Sequence, residues 1–120
     1  MSHFTKIKTK LKRQDWLLKI LQKNSISAYI DSSVSASSII IPQKNNINLS
    51  FEWNGSSYDL VADLEFWQQD LSFESFLQKI QNDYNYYNLL VQTEKLGFTT
   101  SQSKENINGS TTLTLQRFTV

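Results

Sequence analysis

Residues 47–66 read INLSFEWNGSSYDLVADLEF, and this stretch decides the fold. At its centre, Asn54-Gly55 is a pair favoured in two-residue type I′ turns, because both central positions of that turn need a positive φ. The flanking segments alternate apolar and polar residues, as strands with one buried face do. The stretch therefore predicts a β-hairpin in which Trp53 pairs with Ser56 and Phe51 with Tyr58.

The two faces of this predicted hairpin differ in chemistry. The apolar face is predicted to lie in the core and carries Ile47, Leu49, Phe51, Trp53, Tyr58, Leu60, Leu64 and Phe66. The opposite face carries Asn48, Ser50, Glu52, Ser57, Asp59, Asp63 and Glu65, with Val61 and Trp67 as its large apolar members. We expect this second face to meet water or a partner.

Further elements are predicted on the N-terminal side. Residues 3–11 alternate like a half-buried strand, with Phe4, Lys6, Lys8 and Lys10 on one side and Thr5, Ile7, Thr9 and Leu11 on the other. A short helix is predicted from Asp15, its expected N-cap, to Asn24. Residues 25–38 are serine-rich and read mostly as loop, and Ile39-Ile40-Ile41 predicts a strand that ends at Pro42.

A long helix and a second hairpin are predicted after the first one. Ser72 is a suitable N-cap and Gly97 a suitable stop signal. Between them an apolar stripe runs at helical spacing through Phe73, Leu77, Ile80, Tyr84, Tyr87 and Val91. Asn108-Gly109 predicts a turn between a strand near Phe98 and a final strand, with Leu113 and Leu115 facing inward.

These elements predict an α+β fold in one domain, residues 1–120. We expect a mostly antiparallel sheet of five to six strands with the two helices packed on one face. The chain has no cysteine, which excludes disulfides, thiolate metal sites and cysteine nucleophiles. The formal net charge is only +1, but residues 6–13 are basic without an acid, whereas residues 45–78 hold six acids and no Lys or Arg.

The sequence resembles a known plastid and cyanobacterial family, called hypothetical chloroplast reading frame thirty-five. The resemblance rests on residues 2–9 (SHFTKIKT), on Trp53-Asn54-Gly55 with residues 58–64 (YDLVADL) and 67–69 (WQQ), and on Tyr84, Tyr86 and Gly97-Phe98. It implies a chloroplast protein, which we place in the stroma, and it implies no chemistry because the family's function is unknown. The heavy use of Phe, Tyr, Ile, Asn and Lys also suggests the AT-rich codons of an organelle genome.

The acidic face offers one candidate site. Carboxylates of Glu52, Asp59, Asp63 and Glu65 could converge on a hard cation or form an acid/base pair. A small-ligand or metal-dependent enzyme would use Asp59, Asp63 and Glu65. Polar residues are also what the solvated face of an antiparallel sheet normally carries. Trp67, beside them, is either an interface anchor or a residue covered by the first helix or the serine-rich loop.

The lysines of the first strand offer another candidate site. Lys6, Lys8 and Lys10 could follow RNA phosphates, or they could pair with the acidic face and protect a sheet edge. No phosphate-binding loop, metal-ligand cluster or nucleophile with a base is recognisable in the sequence. We therefore expect a non-catalytic interaction or assembly protein that needs no cofactor or metal and binds another protein rather than nucleic acid.

Overall fold

The computed structural model describes the backbone of residues 3–33, 37–105 and 111–117, and the side chains of these residues up to 97. In chain order the elements are β1 (Phe4–Lys8), α1 (Gln14–Lys23), β2 (Tyr29–Asp31), β3 (Ser38–Ile41), β4 (Leu49–Trp53), β5 (Tyr58–Asp63), a 3₁₀-helix (Leu64–Phe66), α2 (Phe73–Lys95), β6 (Phe98–Glu105) and β7 (Thr111–Arg117). The first five strands form one antiparallel sheet in the order β1-β5-β4-β3-β2. The predicted α+β class is confirmed.

The last two strands form a sheet of their own rather than extending the first one. β6 and β7 pair antiparallel as a two-stranded sheet, with Glu105 opposite Thr111. The predicted turn at Asn108-Gly109 lies outside the described residues, as do the side chains of Leu113 and Leu115.

The central hairpin is confirmed, but the predicted register is wrong by two residues. Trp53 pairs with Tyr58 rather than Ser56, and Phe51 pairs with Leu60. The loop is longer because the Asn54 side-chain oxygen accepts hydrogen bonds from the backbone N–H groups of Ser56 at 2.9 Å and Ser57 at 3.0 Å. A shift of two residues preserves the alternation of faces, so the predicted core face survives the error.

Both helices pack on the apolar face of the five-stranded sheet. The sheet residues in this core share one face by register and include Ile39, Ile41, Leu49, Phe51, Leu60 and Ala62. Trp16, Leu17, Ile20 and Leu21 of α1, and Phe76, Ile80 and Tyr84 of α2, cover them. Trp53 and Phe66 were predicted for this core but are each 39% exposed, because Trp53 is at the end of the β4–β5 pairing and Phe66 lies beyond it in the 3₁₀-helix.

The helix boundaries follow the prediction closely, apart from one cap. Ser72 caps α2 by accepting from the Ser75 N–H, and Gly97 has a φ of 84°, a left-handed conformation that suits glycine after a helix. In α1 the N-cap position belongs to Arg13, not to the predicted Asp15. Asp15 instead lies in the first turn, where its negative charge favours the helix dipole.

Candidate functional site

The acidic residues of the hairpin do not converge on a common point. Asp63 is 2% exposed, so its predicted place on a solvated face is wrong. Its carboxylate accepts hydrogen bonds from the backbone N–H of His3 at 3.1 Å and of Glu65 at 3.2 Å. Asp63 therefore caps the 3₁₀-helix and fixes the start of β1 beside β5.

The other two acidic candidates lie apart from Asp63. Asp59 lies four residues before Asp63 on β5, about 13 Å away along an extended strand, and accepts a hydrogen bond from the Asn54 side chain at 2.8 Å. Glu65 is exposed in the 3₁₀-helix. Among the described residues no group of three or more His, Asp or Glu side chains could hold a metal ion.

Trp67 packs against the beginning of α2 rather than standing on the polar sheet face. Its ring makes edge-to-face contacts with Phe76 at 5.2 Å and with Phe73 at 6.4 Å between centroids. Its indole N–H donates to the Leu71 carbonyl at 2.7 Å. The half-buried indole thus closes the turn between the 3₁₀-helix and α2, while its role as an interface anchor stays a prediction.

The three lysines predicted as a candidate site, Lys6, Lys8 and Lys10, lie in two environments. Lys6 and Lys8 face Val61 and Asp59 across the β1–β5 pairing. β1 ends at Lys8, so Lys10 lies in the segment between β1 and α1. This segment, residues 9–13, runs alongside α2 and brings a second group of cations together.

Hydrogen bonds to two other parts of the chain fix this segment. The Thr9 hydroxyl donates to the Tyr58 carbonyl, and the Tyr58 N–H donates to the Leu11 carbonyl at 2.8 Å. The Lys10 N–H donates to the Gln81 side chain at 3.4 Å. The Tyr84 hydroxyl oxygen accepts from the N–H groups of both Lys12 and Arg13. The backbone that presents the cations is therefore held in place by the hairpin and by α2.

A groove runs between this segment and α2, and we call it the basic groove. Two openings of about 600 Å³ and 480 Å³ share Thr9, Lys10 and Asn85, so they are parts of one groove. Their volumes fall within the range of ligand-binding clefts. A separate cavity beside Lys79 has a volume of only about 120 Å³ and is too small for such a ligand.

One wall of the basic groove is a row of amide side chains on α2. We call it the amide stripe, and it consists of Gln78, Gln81, Asn85, Asn88 and Gln92. Their spacing of three and four residues places them on one face of the helix. Amide groups offer both donors and acceptors, and two of their neighbouring pairs already bond to each other.

The other wall is positively charged. Lys8, Lys10, Lys12 and Arg13 line it, and no carboxylate is among the described residues that line the groove. Arg13 pairs with Asp15 at its outer end through two hydrogen bonds, of 2.8 and 3.2 Å. This contact holds the pKa of Asp15 below its ordinary value. Lys8 lies opposite Asp59 in the β1–β5 pairing, so Lys10 and Lys12 supply most of the uncompensated charge.

The lysines are visible in the sequence, but the groove is not. The signal for the second wall was present, because the amides recur at helical spacing beside the apolar stripe of α2. What the sequence could not supply was the contact between residues 9–13 and a helix about seventy residues further along the chain.

Comparison with known proteins places the chain in a family. Residues 18–114 match the family described as "Protein of unknown function (DUF1257)". The chain belongs to this family. Its function is not known, in agreement with the resemblance drawn from the sequence.

Relatives in this family align over nearly the full chain. "Uncharacterized protein ycf35" of Guillardia theta is 41% identical, and the protein of the same name from Pyropia yezoensis is 36% identical, each over 98% of both chains. The protein of that name from Trieres chinensis is 32% identical over 93% of this chain and 94% of its own. The ycf designation marks plastid-encoded reading frames and implies the chloroplast. No solved structure matches the chain.

The described residues also bear on membrane association. None of the helices among them is both long enough and apolar enough to cross a bilayer.

Proposed function

We propose that this chain is a non-catalytic interaction protein of the plastid stroma that holds an acidic segment of another protein in the basic groove. The observation that supports this most is the composition of the groove wall, where Lys8, Lys10 and Lys12 stand without a lining carboxylate. A cleft lined by one sign of charge concentrates ligands of the opposite sign. The complementary ligand is an acidic one.

The amide stripe favours an extended polypeptide as the occupant. From Gln78 to Gln92 it covers about 21 Å of helix, which an extended segment of about six residues would span. Side-chain amides can donate to peptide carbonyls and accept from peptide N–H groups. The stripe would therefore bond to the backbone of the segment while the lysines meet its carboxylates.

Single-stranded RNA is the competing anionic ligand. RNA-binding grooves combine cations with exposed aromatic rings on which bases stack. The two rings that line this groove are buried, since Trp16 is 8% exposed and Tyr84 is 7% exposed. Trp16 is also covered by the Arg13 guanidinium, which lies 4.5 Å from its centroid. This arrangement favours an acidic protein segment over RNA.

Charge reversal at the groove tests the proposal. We expect a fluorescently labelled decaglutamate peptide to bind the protein at low salt, and the double substitution Lys10→Glu with Lys12→Glu to weaken that binding by about tenfold or more. Fluorescence anisotropy titrations measure both affinities. Binding should also weaken as salt is added, because the charges are exposed to solvent.

Two further titrations control for general electrostatics. Lys44→Glu makes the same kind of charge change on the turn between β3 and β4, outside the groove, and should reduce affinity by less than about twofold. A decauridylate RNA should bind more weakly than decaglutamate. Equal losses for the groove and Lys44 variants, or tighter binding of RNA than of peptide, would overturn the proposal.

A further inference from the structure

The Tyr84 hydroxyl occupies an unusual position in the floor of the basic groove. The residue is 7% exposed, and its ring packs against Trp16 with 5.5 Å between centroids. Its oxygen accepts hydrogen bonds from the backbone N–H of Lys12 at 3.3 Å and of Arg13 at 3.1 Å. Tyr84 is also one of the residues that line the groove.

These two bonds determine where the hydroxyl hydrogen can point. A phenolic oxygen carries one hydrogen and can accept further hydrogen bonds. With two N–H donors aimed at the oxygen, its own hydrogen must point away from Lys12 and Arg13. No acceptor for it lies within hydrogen-bonding distance among the described residues. Buried polar hydrogens are nearly always paired, and Tyr84 lines the groove, so a group that enters the groove can accept this hydrogen.

The surroundings of this hydrogen favour an anionic acceptor. Lys10, Lys12 and Arg13 line the same opening, together with Ser56 and Ser57. We infer that the Tyr84 hydroxyl anchors one oxygen of a carboxylate or phosphoryl group that enters the basic groove. This inference rests on the proposed function and adds a specific recognition point to it. The lysines attract the ligand by charge, and Tyr84 fixes the position of one of its anionic groups.

Removal of one oxygen atom tests this inference. Tyr84→Phe deletes the donor and keeps every lysine side chain, but it also removes the acceptor for the Lys12 and Arg13 N–H groups. We expect it to weaken peptide binding by about tenfold, the usual effect of losing a hydrogen bond to a charged group. Phosphate titration of the unaltered protein separates loss of the donor from movement of residues 9–13. Two labelled peptides are compared, decaglutamate and the same peptide with one central phosphoserine. Equal losses identify a carboxylate as the ligand group, and a loss confined to the phosphorylated peptide identifies a phosphoryl group.

Tyr87→Phe is the matched control. Tyr87 also packs on Trp16, at 5.2 Å between centroids, but it does not line the groove. Its substitution should leave both affinities unchanged. If Tyr84→Phe binds both peptides as tightly as the unaltered protein, the inference is wrong. If the lysine reversals still weaken binding in that case, the proposed function stands without it.

A measurement on the unaltered protein covers the case in which Tyr84→Phe fails to fold. When an anion accepts the Tyr84 hydrogen, the phenolic oxygen becomes a stronger acceptor for the two N–H groups that it already binds. Titration with inorganic phosphate should therefore shift the amide resonances of Lys12 and Arg13 downfield in ¹H–¹⁵N spectra, and should leave that of Lys44 in place. Amides of Lys12 and Arg13 that do not respond to phosphate would contradict the inference. A response to phosphate without any effect of the lysine reversals on peptide binding would support Tyr84 and overturn the proposed function.

Discussion

Trp67 illustrates at the residue scale how one side chain connects two elements. Its ring meets Phe73 and Phe76, and its N–H bonds to Leu71, so it links the turn before α2 to the first turns of that helix. Aromatic edge-to-face pairs contribute about 0.5–1.5 kcal/mol beyond the area that they bury. We therefore expect Trp67→Ala to lower the free energy of unfolding by about 2–3 kcal/mol, as measured by chemical denaturation.

Trp67→Phe and Trp53→Ala serve as comparisons for this prediction. Trp67→Phe keeps an aromatic ring and loses the N–H bond, so its cost should be only about 1 kcal/mol. Trp53 lies at the end of β4 and is 39% exposed, and its removal should cost less than removal of Trp67. If Trp67→Ala is as stable as the parent protein, the indole does not support the fold, and its predicted role as an interface anchor becomes the better explanation.

Gln43 shows what the sequence could not predict at this scale. The side chain is 7% exposed, donates to the carbonyls of Ile47 and Phe66, and accepts from the N–H of Gln68. Nothing in a stretch of polar residues after Pro42 marks one of them as buried. Its role depends on the 66–69 segment folding back beside it, which is a tertiary contact.

At the element scale, the position of a residue on α2 determines what its loss should cost. Ile80 is 1% exposed and lies in the core between sheet and helices, whereas Leu89 on the same helix is 45% exposed. Ile80→Ala should lower the free energy of unfolding by about 2–5 kcal/mol through lost apolar burial and the cavity left behind. Leu89→Ala should change it by less than about 0.5 kcal/mol.

Urea denaturation of the two α2 variants measures this difference. Leu77, which is only partly buried against the core, should give an intermediate value when replaced by Ala. Similar small losses at Ile80 and Leu89 would mean that the apolar stripe of α2 does not face the sheet.

The central hairpin shows how far pattern alone predicts an element. Alternation along residues 47–66 identified both strands and the buried positions Leu49, Phe51 and Leu60. The pairing register was wrong because Asn54 bonds to its own following backbone, and that local choice lengthened the loop. Periodicity is a property of the strand, whereas register depends on the turn, so the first was predictable and the second was not.

The candidate site was only half predictable for a related reason. The cations of residues 8–13 are visible in the sequence, but the groove exists because Tyr84 and Gln81 hold that segment against α2. These contacts join residues about seventy positions apart, and no local pattern encodes them. The face around Asp59 and Asp63 was predicted to meet a partner. The Asp63 carboxylate instead accepts hydrogen bonds from the backbone N–H groups of His3 and Glu65, which is a structural role.

At the scale of the whole molecule, a net charge of +1 conceals a separation of charge. The cations that line the basic groove come from residues 8–13, while the acids Asp59, Asp63 and Glu65 belong to β5 and the 3₁₀-helix. Association of such a molecule depends on which surface meets the ligand rather than on the overall charge. If the acidic residues formed a metal site, added divalent cations would bind there and raise the melting temperature.

We expect millimolar Mg²⁺, Mn²⁺ or Ca²⁺ to change the melting temperature by no more than about a degree or two, as followed by circular dichroism. Hard cations need six or more oxygen ligands around one point. Asp63 directs its oxygens to two backbone N–H groups, Asp59 bonds to Asn54, and Glu65 lies exposed in another element. A cation that binds only with a dissociation constant of about 10 mM contributes less than about 0.1 kcal/mol at 1 mM.

Asp63→Asn should lower the melting temperature to the same extent with and without added metal, because the carboxylate supports the backbone rather than a cation. A rise of more than about five degrees in the parent protein that disappears in Asp63→Asn would show the opposite, and would make the acidic residues a metal site after all.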